Sequence, residues 1–214
     1  MNQHHQDSWK IYMQSCRNRM ELIVIVVVTL CVLYAMASFL AWNENRPGDV
    51  LNDSLLNMIT PRDFSIFTGL LTYGTITFGL IILAQKPGTF TVSLVAVSII
   101  CSIRMFAMYM VPLDPPEGII PLRDLMLENS FYSNKVMVRD LFFSGHTSNT
   151  FLVGMLLQKK IHKQIAFTSC FLIACLVLVQ HVHYTIDVLV APFAAYLSYF
   201  IARTILGYRT RALV

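Results

Sequence analysis

Two short segments hold side chains whose types and spacing suit nucleophilic chemistry at a phosphate. The first is Arg139-Asp140-Leu141-Phe142-Phe143-Ser144-Gly145-His146-Thr147 and the second is His181-Val182-His183-Tyr184-Thr185-Ile186-Asp187. His183 and Asp187 stand four apart, so on a helix they share a face. A carboxylate that accepts one imidazole N–H fixes the tautomer and raises the basicity of the other nitrogen, which activates a weak nucleophile. A second histidine nearby, His146, then serves as general acid and base. Ser144 or Gly145 is positioned to cap a helix beginning at His146. The first-turn N–H groups of that helix and its dipole favour an anion such as phosphate. On a helix His181 would point roughly 160–200° away from His183, and it is expected to lie elsewhere.

These residues must be positioned in a membrane. The 214 residues are 56% hydrophobic and only 13% charged, about half the charged share of an ordinary soluble domain. Most of that apolar surface is expected to face lipid. Six stretches approach the roughly 20 apolar residues that cross a bilayer. They run from Glu21 to Trp42, Phe64 to Ala84, Phe90 to Val111, about His146 to Gln158 (extendable through Lys160), Gln164 to His181, and about Tyr184 to Leu206. The fold class is therefore an all-α integral membrane protein with six transmembrane helices. Residues 1–20 form an N-terminal segment, 21–206 a membrane catalytic domain, and 207–214 a tail. The polar first twenty residues place the apolar run too late for a cleaved signal, so the first helix is expected to be retained. The polar stretch Pro112–Gly145 is rich in proline, which resists regular helix. Leu125 to Phe131 is expected to form a short interfacial helix. No role falls to His4 or His5.

Charge placement gives an expected sidedness. Lys10, Arg17, Arg19, Lys86, Lys159, Lys160, Lys163, Arg203, Arg209 and Arg211 fall on one side, and Arg46, Arg62, Arg123, Lys135 and Arg139 on the other. The richer side belongs in the cytoplasm. Both termini are then cytoplasmic, and both histidine segments face the lumenal, periplasmic or extracellular side. Arg104 falls inside the third span, seven residues before Val111 or about 10 Å from its end. Its side chain could snorkel to a phosphate headgroup or simply be a structural snorkeler. The net charge of +4 reflects this topology, and no nucleic-acid partner is expected. The five cysteines have no C-x-x-C spacing, so neither a disulfide framework nor a thiolate metal site is indicated.

The blocks Asp140–Thr147 (D-x-x-F-S-G-H-T) and His183–Asp187 (H-Y-T-x-D) resemble the type 2 phosphatidic acid phosphatase (PAP2) superfamily. Within it they look most like the sphingomyelin synthase branch. Arg104, Met108 and Pro112-Leu113 match an upstream block of that branch loosely. The K-x6-R-P block of the wider superfamily, and an S-R before the second histidine block, are not found. The run Val188–Phe193 replaces the more tyrosine-rich sequence of the synthases, and Pro192 would kink or loosen the last helix. The resemblance implies a six-helix PAP2-like core and a double displacement needing neither metal nor cofactor. His183 would take the phosphoryl headgroup, Asp187 would orient it, and His146 would protonate the leaving alcohol and then deprotonate the acceptor. Arg104, Ser144, Gly145 and Asp140 are the expected phosphate-binding set, although Asp140 could instead pair with Arg139 or cap a turn.

Transfer of a phospho-headgroup to a lipid alcohol such as ceramide or diacylglycerol is the first expectation, with phospholipids and the bilayer as partners. Hydrolysis at the same site, with water as acceptor, is the alternative. A transporter would also place His and Asp inside a membrane, but it has no need of the S-G-H-T helix start. A zinc enzyme using His181, His183 and Asp187 would need two histidines that a helix aims apart. The oligomeric state is open.

Overall fold

The computed structural model describes residues 8–122 and 137–210, the last three by their backbone alone. The expected helix at Leu125–Phe131 lies outside the described residues. In chain order the helices are α1 (Trp9–Tyr12), α2 (Cys16–Asn43), α3 (Ser65–Leu83), α4 (Pro87–Met110), α5 (Gly145–Leu156), α6 (Lys160–Val179) and α7 (Thr185–Thr210), with a 3-10 turn at Leu56–Met58. Their ends follow local chemistry. Ser15 accepts from the Asn18 N–H to cap α2. Pro87 occupies the first position of α4, where its fixed φ suits a helix and its missing N–H costs nothing. α7 runs through Pro192.

Among the described residues, five helices are long and apolar enough to cross a bilayer: α2, α3, α4, α6 and α7. The chain is an all-α integral membrane protein, but the fourth expected span needs correction. α5 has 12 residues, about 18 Å at 1.5 Å per residue, against a hydrocarbon core of about 30 Å. It does not extend through Lys160, because Leu157 turns to extended backbone (ψ 148). Leu157 is itself buried. The lysines that follow need water, and the chain reverses at Lys159 into α6. α6 therefore starts four residues earlier than expected and ends at Val179 rather than His181.

α5 is the inner helix, touching α3, α4, α6 and α7. Its residues Gly145, Thr147, Ser148, Thr150, Leu152, Gly154 and Leu156 are buried. The main core joins Ile100 of α4, Leu152 and Leu156 of α5, Ala166 of α6, and Ala191, Ala195 and Ala202 of α7. The alanines let α7 approach its neighbours closely. α2 packs on α4 at the outside. Large apolar side chains stand exposed along the outer faces, among them Tyr34, Ile66, Leu70, Phe171 and Phe193. That much apolar surface suits lipid rather than water.

At one end of the bundle the loops after α2 and α4 are joined. Asp49 and Leu113 form an isolated parallel bridge, with Asp49 N–H donating to Pro112 O at 3.1 Å and Asp114 N–H to Asp49 O at 3.0 Å. Gly48 permits this approach, since a Cβ there would lie 2.4–2.7 Å from Leu113 backbone atoms. At the other end the Trp9 indole N–H donates to Ala84 O at 2.7 Å, tying α1 to the α3–α4 turn.

Gly48→Ala is therefore expected to destabilise the protein by about 1–3 kcal/mol, as overpacking does. Gly69→Ala, whose Cβ would meet nothing within 4 Å, should be neutral or slightly stabilising. Thermal unfolding of the two variants in detergent measures the difference, and equal midpoints would contradict the loop bridge.

Candidate active site

The two histidine segments meet where α5 and α7 begin. Ser144 caps α5, its Oγ accepting from the Thr147 N–H at 3.4 Å. The Ser144 N–H donates to Asp187 O at 3.2 Å, which joins the first segment to the second. α5 starts at Gly145, not His146, so the Gly145 N–H is one of those that bonding within the helix cannot use. His146 follows on the first turn. Its ring centroid lies 6.4 Å from that of His183, with the planes at 63°.

The second segment is built differently from the expectation. Residues 181–184 are not helical, and α7 begins at Thr185. His183 and Asp187 therefore do not share a helix face, and their contact instead spans the helix start. Asp187 is the third residue of α7, and its Oδ2 accepts from the Tyr184 backbone N–H at 3.1 Å. This is the returning half of a capping box, in which a carboxylate at the third position serves the donor just before the helix. The same oxygen lies 3.3 Å from His183 Nδ1, long for such a bond. A hydrogen on Nδ1 leaves His183 Nε2 as the basic nitrogen. His183 is 1% exposed and Asp187 0%, whereas His146 is half-buried.

Arg104 does not snorkel outward. It is buried, donating from Nε to Phe143 O at 2.9 Å and from Nη2 to Asp140. Asp140 therefore pairs with Arg104 rather than Arg139. The guanidinium lies against the start of α5, where a Cβ on Gly145 would come within 2.5–2.7 Å of its atoms. The glycine of the first segment thus has a steric reason as well as a backbone one. A cation beside a helix N-terminus is electrostatically unfavourable unless negative charge is near. Asp140 supplies some of that charge, and a bound phosphate would supply more. His146, His183, Asp187, Arg104, Asp140, Ser144 and Gly145 are thus brought to one locality.

His181 is elsewhere. With φ at 56°, it directs Nδ1 to Glu117 O at 3.0 Å and Nε2 to Ile59 O at 3.1 Å. Both ring nitrogens face backbone carbonyls rather than a site shared with His183. No group of three or more His, Cys, Asp or Glu suited to a metal occurs among the described residues.

Several supports had no signal in the sequence. Tyr184 donates from its phenol to Asp114 O at 2.9 Å and accepts from the Leu51 N–H at 3.2 Å. Burial pushes this phenol above its ordinary pKa, and the nearby Asp187, Asp114 and Asp53 charges push the same way against the Leu51 bond, so it remains a donor. Arg139 donates to Asp114 Oδ1 at 2.6 Å and to Glu44 O at 2.6 Å. Glu44 Oε2 accepts from the Val138 and Arg139 N–H groups at 3.1 and 3.0 Å. These bonds fix the strand of chain that delivers Asp140 to Arg104. Gln180, fully buried, accepts from Phe64 N–H and donates to Ser65 Oγ and Ile120 O. Asp53 reaches Thr185 from the first loop. Each partnership is distant in the chain and follows no periodicity.

Residues 139–204 match the family model described as PAP2 superfamily C-terminal. The matched stretch holds both histidine segments and leaves out Arg104. It supports placement in the PAP2 superfamily and a lipid phosphatase or phosphotransferase type of function. No curated protein matches the chain.

Gly145→Ala should lower turnover of a phosphate-labelled phospholipid about 10-fold or more, because Arg104 must leave the start of α5, and 10-fold corresponds to only about 1.4 kcal/mol. Gly74→Ala, with nothing within 4 Å of its added Cβ, should leave turnover unchanged. Equal rates for the two would show that the Arg104 placement is immaterial.

Proposed function

We propose that the protein is a membrane lipid phosphotransferase that moves a phospho-headgroup from a phospholipid to a lipid alcohol, ceramide or diacylglycerol, in the manner of the sphingomyelin synthases. The observation that carries this reading is the placement of His183, backed by Asp187, across from His146 at a helix N-terminus that also holds Arg104.

In the first step His183 Nε2 attacks phosphorus while the bond from phosphorus to the diacylglycerol oxygen breaks. His146, as imidazolium, gives its proton to that oxygen, and diacylglycerol leaves. Asp187 stabilises the charge that grows on His183 through Nδ1. In the second step His146, now neutral, takes the proton of the acceptor alcohol. The alkoxide oxygen bonds to phosphorus, the N–P bond breaks, and His183 is restored. Arg104 and the Gly145 N–H offset the charge on the phosphoryl oxygens in both steps, where electrostatic stabilisation is most effective. Ser144 holds the helix start, and Asp140 holds Arg104. No step requires a metal or cofactor.

The burial of His183 and Asp187 supports transfer over hydrolysis, because a water-poor site disfavours water as acceptor. The distribution of basic residues supports a site facing the lumenal, periplasmic or extracellular side with both termini cytoplasmic.

The test uses purified protein in vesicles containing a phospholipid labelled in its headgroup, with and without ceramide or a diacylglycerol whose acyl chains differ from those of the donor. Label is expected in the new lipid when the alcohol is present. Label appearing only as soluble phosphate or phospho-alcohol would assign hydrolysis instead. His183→Ala should reduce turnover by about 10³-fold or more, as loss of a nucleophile does, and a chelator should leave the rate unchanged. Full turnover by His183→Ala would overturn the mechanism.

A further inference from the structure

We propose that Asp53, in the loop between α2 and α3, is a positioning residue that keeps the Asp187 carboxylate on His183; this rests on the reading of the site given above. Asp53 Oδ2 accepts from the Thr185 backbone N–H at 2.6 Å, and Oδ1 accepts from the Thr185 hydroxyl at 2.9 Å. Thr185 is the first residue of α7. The residue before it, Tyr184, has no short acceptor side chain with which to cap the helix, and its phenol is turned to Asp114. Asp53 supplies that missing acceptor from a distant loop. The cap of α7 is thus divided between two carboxylates: Asp53 serves Thr185, and Asp187 serves Tyr184 and His183.

The division matters because Asp187 is underused. Its Oδ1 is buried with no hydrogen-bond partner among the described residues. A buried carboxylate oxygen without a donor is costly, so the group turns to any donor that comes free nearby. The Thr185 N–H is such a donor, two residues away on the same helical turn. With Asp53 in place it is taken. Without Asp53, Asp187 is drawn to Thr185 and away from the bond to His183 Nδ1, which is already 3.3 Å long.

Asp53 is itself held independently of α7. Its Oδ1 accepts from the Leu55 and Leu56 N–H groups at 3.0 and 3.2 Å. Leu56 is buried against Leu113, Leu141 and Tyr184. Burial pushes the Asp53 carboxyl up, but the donors from Thr185, Leu56 and Leu55 more than offset it and hold it below its ordinary value. A depressed carboxyl keeps its contacts at and above the ordinary carboxylate range and loses them only as pH falls through its lowered value. The cap is therefore intact near neutrality.

The full-length protein is assayed in vesicles containing a phosphate-labelled phospholipid and ceramide, scoring all label that leaves the donor lipid. Asp53→Ala is expected to lower kcat about 10-fold, the scale of a lost cap, with KM changed by less than about twofold. Asp53→Asn keeps an acceptor oxygen and should lose only about threefold. In an Asp187→Asn background Asp53→Ala should lower the residual rate by less than about twofold, since residues acting as a unit are not additive. A merely structural role would give the same loss in both backgrounds, and that result overturns the proposal. So does an unchanged kcat, or a loss carried by KM. If Asp53→Ala is not recovered folded, Asp53→Asn in both backgrounds decides the same question. His183→Ala runs alongside: full turnover there removes the site reading itself, whereas an inactive His183→Ala with unaffected Asp53 variants removes only the positioning role.

Discussion

One carboxylate oxygen, Asp187 Oδ2, lies at the junction on which the candidate site depends. It accepts from the backbone just before α7 and sits beside the ring of His183. The same residue's carbonyl receives the N–H of Ser144, the cap of α5. Moving Asp187 would therefore disturb a helix start, an imidazole and the neighbouring helix cap together. Burying a carboxylate is costly unless donors surround it. Here the donors are the elements that have to be brought into register.

Around that junction the structure gathers positive character with little room to spare. The start of α5, with its dipole, meets the Arg104 guanidinium at a distance only glycine allows. Asp140 and Phe143 O hold the guanidinium in place. The chain carrying Asp140 is fixed in turn by Arg139, Asp114 and Glu44. A chain of loop contacts outside the bundle thus controls a charge inside it. On the proposed reading this arrangement favours the phosphate before any bond changes.

Much of this was legible in the sequence, and the losses have physical causes. Hydropathy located the long helices because a bilayer imposes length and composition together. It overran α5 because Leu156 and Leu157 are both apolar, and nothing in apolarity marks the turn at Leu157. The spacing of His183 and Asp187 foretold their contact but gave the wrong reason for it. A four-residue spacing also spans a helix start, and periodicity does not report where a helix begins. The cost of burying Arg104 could be read from its surroundings, but not its partner, since Asp140 lies beyond a long loop. The roles of Asp53 and Tyr184 are long-range hydrogen bonds, set by how the loops fold over the bundle.

The shortness of α5 has a consequence for how a substrate would arrive. Its far end turns at lysines that belong at a water boundary. At about 18 Å, α5 leaves about 12 Å of a roughly 30 Å hydrocarbon core uncrossed. On the proposed reading, closing that gap falls to the substrate or to the membrane. Either the lipid sinks below its neighbours or the bilayer thins around the protein, as it does beside short hydrophobic elements. A phospholipid can make that descent with its chains still among other chains, whereas a water-soluble phosphate ester has nothing to hold it there. On the proposed reading, preference for lipid over soluble esters would be set by depth, before any side chain distinguishes one headgroup from another.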